Sequence, residues 1–218
     1  DIYGFPRWFA GALVFAWVPL LDSVLVGQST PIALVFLLLA IFGLTKNRPL
    51  VAALAIGALL FKPNDAIVII ALLIVRREWY IFAMASACAA FWYFAGVAAT
   101  SGDWGWPVQY ARLIHAYYHA DFLANAIKSF SLPTVLMYVG APQAVAFTAG
   151  AALFAVCIWL LARRPLFEAS NLVPLVTLAV SPHAWAYDVG LLIPSLCYVM
   201  VAAREPSRTW IVLSSYVI

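Results

Sequence analysis

The chain has 218 residues, of which 66% are hydrophobic and only 10% charged, with a formal net charge of +3 and a mean hydropathy of +0.99. Soluble domains are about half apolar and about a quarter charged, so this balance excludes a soluble enzyme, a disordered tail and a nucleic-acid binder. Long Leu/Ala/Val/Ile runs in place of short alternating strands specify an all-α polytopic transmembrane helical bundle, not a β-barrel.

The apolar runs are read in chain order. Trp8–Val26 is a full-length helix and Pro31–Thr45 a shorter one. Pro49–Phe61 and Ala66–Val75 are half-length runs around Lys62-Pro63-Asn64-Asp65. Trp79–Ala99 is full length and Ala144–Ala162 nearly so. Leu172–Val180 and Tyr187–Ala203 flank Ser181-Pro182-His183. The count is about eight crossings, plus a truncated ninth opening at Thr209. No repeat or low-complexity linker divides the chain, so 1–218 reads as one transmembrane domain. Cys88, Cys157 and Cys197 fall inside apolar runs and read as small buried side chains. The chain opens at Asp1 without an initiator Met and stops ten residues into its last apolar run. A spanning helix needs about 20 residues, which suggests an internal piece of a longer protein.

The charges order these helices. Arg7, Lys46/Arg48, Arg76/Arg77, Arg163/Arg164 and Arg204/Arg208 hold nine of the 12 Lys and Arg residues. Short cytoplasmic loops concentrate such residues, which puts all five clusters inside. Neighbouring clusters are then separated by an even number of crossings. Pro49–Phe61 and Ala66–Val75 therefore form a hairpin, as do Leu172–Val180 and Tyr187–Ala203. The rival, one kinked helix over Pro49–Val75, would be about 40 Å long, too long for a core of about 30 Å. With this topology the polar segments around Asp22, Gln28 and Lys62, the 100–143 loop and Ser181–Asp188 all fall on the extracytoplasmic side. Lys62 is 14 residues from both Arg48 and Arg76, about 21 Å of helix. Its turn thus stops short of the far surface, where a charge must line a watery cavity or meet a charged partner.

Each polar segment has a functional and a plain reading. At Lys62-Pro63-Asn64-Asp65, Pro63 breaks the helix. Lys62 is then a candidate phosphate ligand with Asn64 and Asp65 as polar partners, or else it simply pairs with Asp65. In Ser181–Asp188 a proline precedes His183, Tyr187 and Asp188. His183 suits a contact to hydroxyl or phosphate, or a proton relay. Asp188 is a second candidate, or an N-terminal helix cap. Gly27-Gln28-Ser29-Thr30-Pro31 is a capping turn, in which Gln28 is placed to bind sugar hydroxyls. Within the loop, Tyr110, Ile114, Tyr117/Tyr118 and Phe122 form an apolar stripe. With Trp104 and Trp106 they predict an interfacial helix over Val108–Lys128. His115 and His119 lie one turn apart near Asp121, but no HExxH pattern accompanies them. They read as packing or substrate contacts, and no metal or other cofactor is assigned. P-loop, GxSxG and CxxC patterns are absent.

The ordered set resembles glycosyltransferase family 87, multi-pass glycosyltransferases of the C superfamily that use polyprenyl-phosphate sugars. The residues that carry the resemblance are Gly27-Gln28 at a helix head; Arg48-Pro49, Lys62-Pro63 and Arg76-Arg77; and Ser181-Pro182-His183 with Tyr187-Asp188-Val189-Gly190-Leu191-Leu192. The resemblance spans nearly the whole chain. It implies a polyprenyl-phosphate sugar donor, a lipid or glycan acceptor, the bilayer as surroundings and no nucleic-acid partner. Because the family includes mycobacterial phosphatidylinositol mannoside mannosyltransferases, it implies mannose as the sugar. It implies a cell (inner) membrane location, with the site facing outward. The family's catalytic carboxylate lies in the first extracytoplasmic loop, which is expected upstream of Asp1. The expected site residues here are therefore His183 and Asp188 as catalytic, and Gln28, Lys62, Asn64, Asp65, Tyr187 and His115 as substrate-binding. Proline-broken helices with polar midpoints also occur in transporters and lipid flippases. That is the alternative reading, and inverted repeats would favour it.

Overall fold

The computed structural model describes residues 16–25, 27–113, 116, 129–181, 184 and 186–202. Its regular elements are all helical: α1 (Val18–Leu25), α2 (Thr30–Thr45), α3 (Pro49–Leu59), α4 (Pro63–Val75), α5 (Trp79–Ala99), α6 (Leu132–Tyr138), α7 (Gln143–Ala162) and α8 (Leu166–Val180), then a 3₁₀ segment (Ala186–Leu192) that leads into α9 (Ile193–Ala202). By length and apolar composition, two of these, α5 with 21 residues and α7 with 20, can each cross a membrane alone.

Local sequence sets the ends. α2, α3 and α4 each start with a proline in the first turn, where its missing N–H costs nothing. The C-termini of α2, α4, α5 and α6 share one motif. Arg48 N donates to Gly43 O, Glu78 N to Leu73 O, Gly102 N to Val97 O and Ala141 N to Leu136 O. The residue before each donor, namely Asn47, Arg77, Ser101 and Gly140, has a positive φ. This left-handed residue with its 6→1 bond closes the helix and turns the chain at once. The α2–α3 and α4–α5 connections therefore need only three residues each.

Packing decides between hairpin and kinked helix. Gly57, eight residues beyond Pro49, lies against Cys88, nine residues beyond Trp79, and Trp92 Nε1 donates to Gly57 O at 2.9 Å. α3 and α5 thus run in the same direction from the same level, so α4 must run back between them. At the α4 C-terminus, Arg76 reaches the end of α7 and donates to Ala162 O and Arg164 O at 3.3 and 2.8 Å. The second hairpin is antiparallel too: Phe167 packs on Tyr198, while Ser195 donates to Asn171 O at 2.6 Å.

The core has two tiers. Leu44, Ala52, Leu72, Ile81, Leu161 and Ala169 pack together beside the cationic turns. Trp17, Leu34, Leu59, Ala66, Leu178 and Leu191 pack at the opposite end. Small residues bring α2 and α3 into backbone contact: a Cβ on Gly43 would lie 2.5 Å from Ala52 N.

Several expected boundaries shift. α8 begins at Leu166, not Leu172, because Pro165 starts it and its polar stretch is buried. Ser170 and Asn171 are fully buried, and both side chains donate to Phe167 O. The run expected as one helix from Tyr187 opens as 3₁₀ and becomes α-helical only at Ile193. α1 restarts after Trp17, since Pro19 cannot donate to a helix continuing through that point. The 100–143 loop contains an unexpected helix, α6. Ser131 caps it by accepting from Thr134 N, and Pro133 packs against Gly150 of α7. Residues 106–113 are helical, as expected of the loop stripe. The rest of that stretch, the Trp8–Val26 run before residue 16, and the helix at Thr209 lie outside the described residues.

Candidate functional site

At the end of the bundle away from the cationic turns, three elements deliver four polar side chains to one point. Thr30 opens α2, Lys62 caps α4 with Asp65 in the first turn of that helix, and Asp188 sits in the 3₁₀ segment. Lys62 Nζ lies 2.5 Å from Asp188 Oδ1, 3.2 Å from Thr30 Oγ1 and 3.4 Å from Asp65 Oδ2. The Thr30 hydroxyl in turn donates to Asp188 Oδ1 at 3.0 Å. Thr30 is 0%, Asp188 3% and Asp65 6% exposed. The Lys62 side chain, at 21%, forms the outer edge of the group.

α3 with 11 residues and α4 with 13 span about 16 and 20 Å, which separates the Lys62 turn from the cationic turns at Arg48 and Arg76. A charge packed against buried groups needs a partner. The partner is Asp188, 126 residues away in sequence. The local Lys62–Asp65 pair expected from spacing exists as well, but it is the longer contact and lacks hydrogen-bond alignment: Asp65 Oδ2 is buried with no hydrogen-bond donor. With both carboxylates ionised, the group carries one net negative charge.

The 3₁₀ segment that carries Asp188 is seven residues long, where runs beyond three or four residues are uncommon. Side chains hold it. Trp17 Nε1 donates to Val189 O at 3.3 Å, and Gly190 sits where a Cβ would meet Leu20 and Thr30 at 3.2 and 3.4 Å.

Of the residues expected at the site, Lys62, Asp65 and Asp188 are brought together. Asn64 faces the other way, into a cleft of ≈ 350 Å³ shared with Ile67, Gly150, Phe154, Val180 and Ser181. This cleft lies between the head of α4, α7 and the tail of α8, next to the charged cluster. Gln28 is exposed in the turn two residues before Thr30. For Tyr187 the backbone belongs to the 3₁₀ segment. His183 and His115, with Pro182 and Trp185, lie outside the described residues. Thr30 is the one member of the cluster not singled out from sequence. Its signal was a Thr-Pro pair at a helix head, read as capping. The N-cap position falls to Ser29, whose side chain makes no cap bond, and the Thr30 hydroxyl goes to the ion pair instead.

Near the loop, aromatic side chains lock α5 to the segment that follows it. Trp106 Nε1 donates to Tyr93 O at 3.1 Å, Tyr93 Oη donates to Trp104 O at 2.9 Å, and the Trp106 ring fills the space over Gly96. Trp104 stays exposed.

The sequence profile of glycosyltransferase family 87 matches residues 4–182, more than four fifths of the chain. The chain belongs to this family. No curated protein and no solved structure matches it.

Proposed function

We propose that this family 87 glycosyltransferase is a polytopic enzyme of the cell (inner) membrane, with about eight crossings and its site on the extracytoplasmic side. It moves a hexose, mannose in this reading, from a polyprenyl-phosphate donor to a lipid or glycan acceptor. One observation carries the reading: a buried Lys62–Asp188–Asp65 cluster beside an apolar cleft, at the bundle end away from the cationic turns, in a chain of this family. A lipid-linked donor enters laterally from the bilayer, and such a cleft suits an apolar substrate carrying a polar head.

In the reaction the acceptor oxygen attacks the anomeric carbon. The bond from that carbon to the phosphate oxygen breaks and the phosphate keeps the electron pair. The acceptor proton passes to a general base, the family carboxylate expected upstream of Asp1. One displacement inverts the anomeric centre, so a single base suffices. The developing phosphate charge needs a cation or a hydrogen-bond donor. His183 is our candidate, because it follows Ser181 at the cleft rim and precedes Asp188 by five residues. Gln28, Asn64, Tyr187 and His115 are assigned to sugar or acceptor contacts. Lys62 enters with its charge already matched by two carboxylates.

The test is transfer of radiolabelled mannose from polyprenyl-phosphate mannose by the full-length protein in liposomes. Label appearing in an extractable lipid or glycan supports the assignment. No transfer from polyprenyl-phosphate mannose or glucose, with a folded protein, refutes it. Movement of the donor across the bilayer without transfer supports a flippase instead.

A further inference from the structure

The ammonium group of Lys62 has three protons, and three acceptors face it. Asp188 Oδ1 and Thr30 Oγ1 take hydrogen bonds at 2.5 and 3.2 Å, and Asp65 Oδ2 lies 3.4 Å away as an ion-pair partner without a hydrogen bond. A lipid phosphate at the exposed edge of Lys62 would stand next to two buried carboxylates, and like charges at close range in such surroundings repel. Lys62 is therefore poorly placed to hold a phosphate and well placed to hold Asp188.

What Asp188 holds is the chain around it. It sits in a 3₁₀ run whose own backbone bonding is weak, five residues after His183. Ala184 and Val189 on either side are themselves buried, at 2% and 5% exposed. Among the described residues, side chains from other elements anchor Asp188 itself: Lys62 from the α3–α4 turn and Thr30 from the head of α2. Thr30 bonds both partners of the ion pair, accepting from Lys62 and donating to Asp188.

We infer that Thr30 and Lys62 are positioning residues: with Asp188 they form a lock that sets the 3₁₀ segment, and Lys62 serves transfer through Asp188 instead of binding the donor phosphate. This rests on the proposed function for the transfer step, but the lock itself is a geometric statement and can be tested apart from it.

The geometric test uses the full-length protein with every native cysteine, Cys88, Cys157 and Cys197 among them, replaced by Ala and a single cysteine at Ala184, labelled with a maleimide in detergent. Thr30→Val and Lys62→Met should each raise the labelling rate by about tenfold or more, in the manner of a local opening, and Thr30→Ser should return it to within about twofold. Unchanged labelling in both variants overturns the lock, whatever the activity. The kinetic test uses polyprenyl-phosphate mannose as donor. Thr30→Val should lower kcat by about tenfold or more with donor KM within about twofold, since misplacement acts on orientation and not on binding. Lys62→Met in an Asp188→Asn background should cost no more than about twofold beyond Asp188→Asn alone. A tenfold rise in donor KM on Lys62→Met, or a further tenfold loss in that background, would mean that Lys62 touches the phosphate and would overturn the positioning role. Faster labelling in a protein that transfers nothing from this donor leaves the lock standing and removes the donor assignment.

Discussion

Removing the ammonium of Lys62 strands the two acids behind it. In Lys62→Met the stem packing is kept, but Asp188 at 3% exposure and Asp65 at 6% lose their counter-ion. Breaking a buried pair by deleting one partner costs about 3–5 kcal/mol, most of it for the abandoned charge. Lys62 is itself 21% exposed, so water reaches the edge of the group and the lower end applies, about 3 kcal/mol. For a chain of this length, 1 kcal/mol shifts Tm by about 2–4 °C, so a fall of about 6–12 °C is expected. Neutralising the stranded partner should recover at least half of it, because replacing both members of a buried pair is close to neutral. Lys62→Met/Asp188→Asn is thus more stable than Lys62→Met alone. The measurement is thermal unfolding of the detergent-solubilised full-length protein, followed by its tryptophan fluorescence. A single variant within about 2 °C of the parent, or a double variant no more stable than the single, would show that the ion pair does not hold these elements together.

Other outcomes follow from the same geometry. Gly43→Val should destabilise by about 1–3 kcal/mol, because the new side chain meets the Ala52 backbone N and Cα, which cannot swing away; a Tm equal to the parent's would contradict the α2–α3 contact. Single cysteines at Asn47, Arg77 and Arg164 should label from the cytoplasm and one at Gly102 from outside, and outside labelling of Arg77 would break the α3–α4 hairpin. His183→Ala should reduce transfer by about tenfold or more, roughly 1.4 kcal/mol, and His115→Ala by less; equal effects would remove His183 from the phosphate contact.

Much of the architecture is written in short-range chemistry. Apolar run length, prolines at the heads of α2, α3 and α4, and left-handed Asn47 and Arg77 at the helix ends are local features. Each acts within one turn of helix, so the sequence alone locates α2, α3, α4, α5 and α7 closely. The cationic turns order them as well, since Lys and Arg partition by side of the membrane, and this already required both hairpins. The order of Lys62-Pro63, Ser181-Pro182-His183 and Tyr187-Asp188 likewise pointed to the family that the profile match established.

The partners of the charges were not legible, because spacing informs only about neighbours. Three residues apart on one helix head, Lys62 and Asp65 look like a pair by themselves. The closer partner comes from 126 residues downstream, and only the folded bundle brings it in. Thr30 looked like a cap because caps are local; its hydroxyl goes elsewhere because a buried ion pair offers a charged acceptor, and bonds to charged groups are the stronger ones. The 3₁₀ start of the last hairpin arm has the same origin: composition there reads as helix, while anchors from Trp17, Thr30 and Lys62 hold a tighter winding. Sequence by itself located most of the helices, though not α6, and the end of the bundle that gathers the cationic turns. Tertiary structure alone decided which charge meets which, because burial leaves a charge no partner but the one that packing supplies.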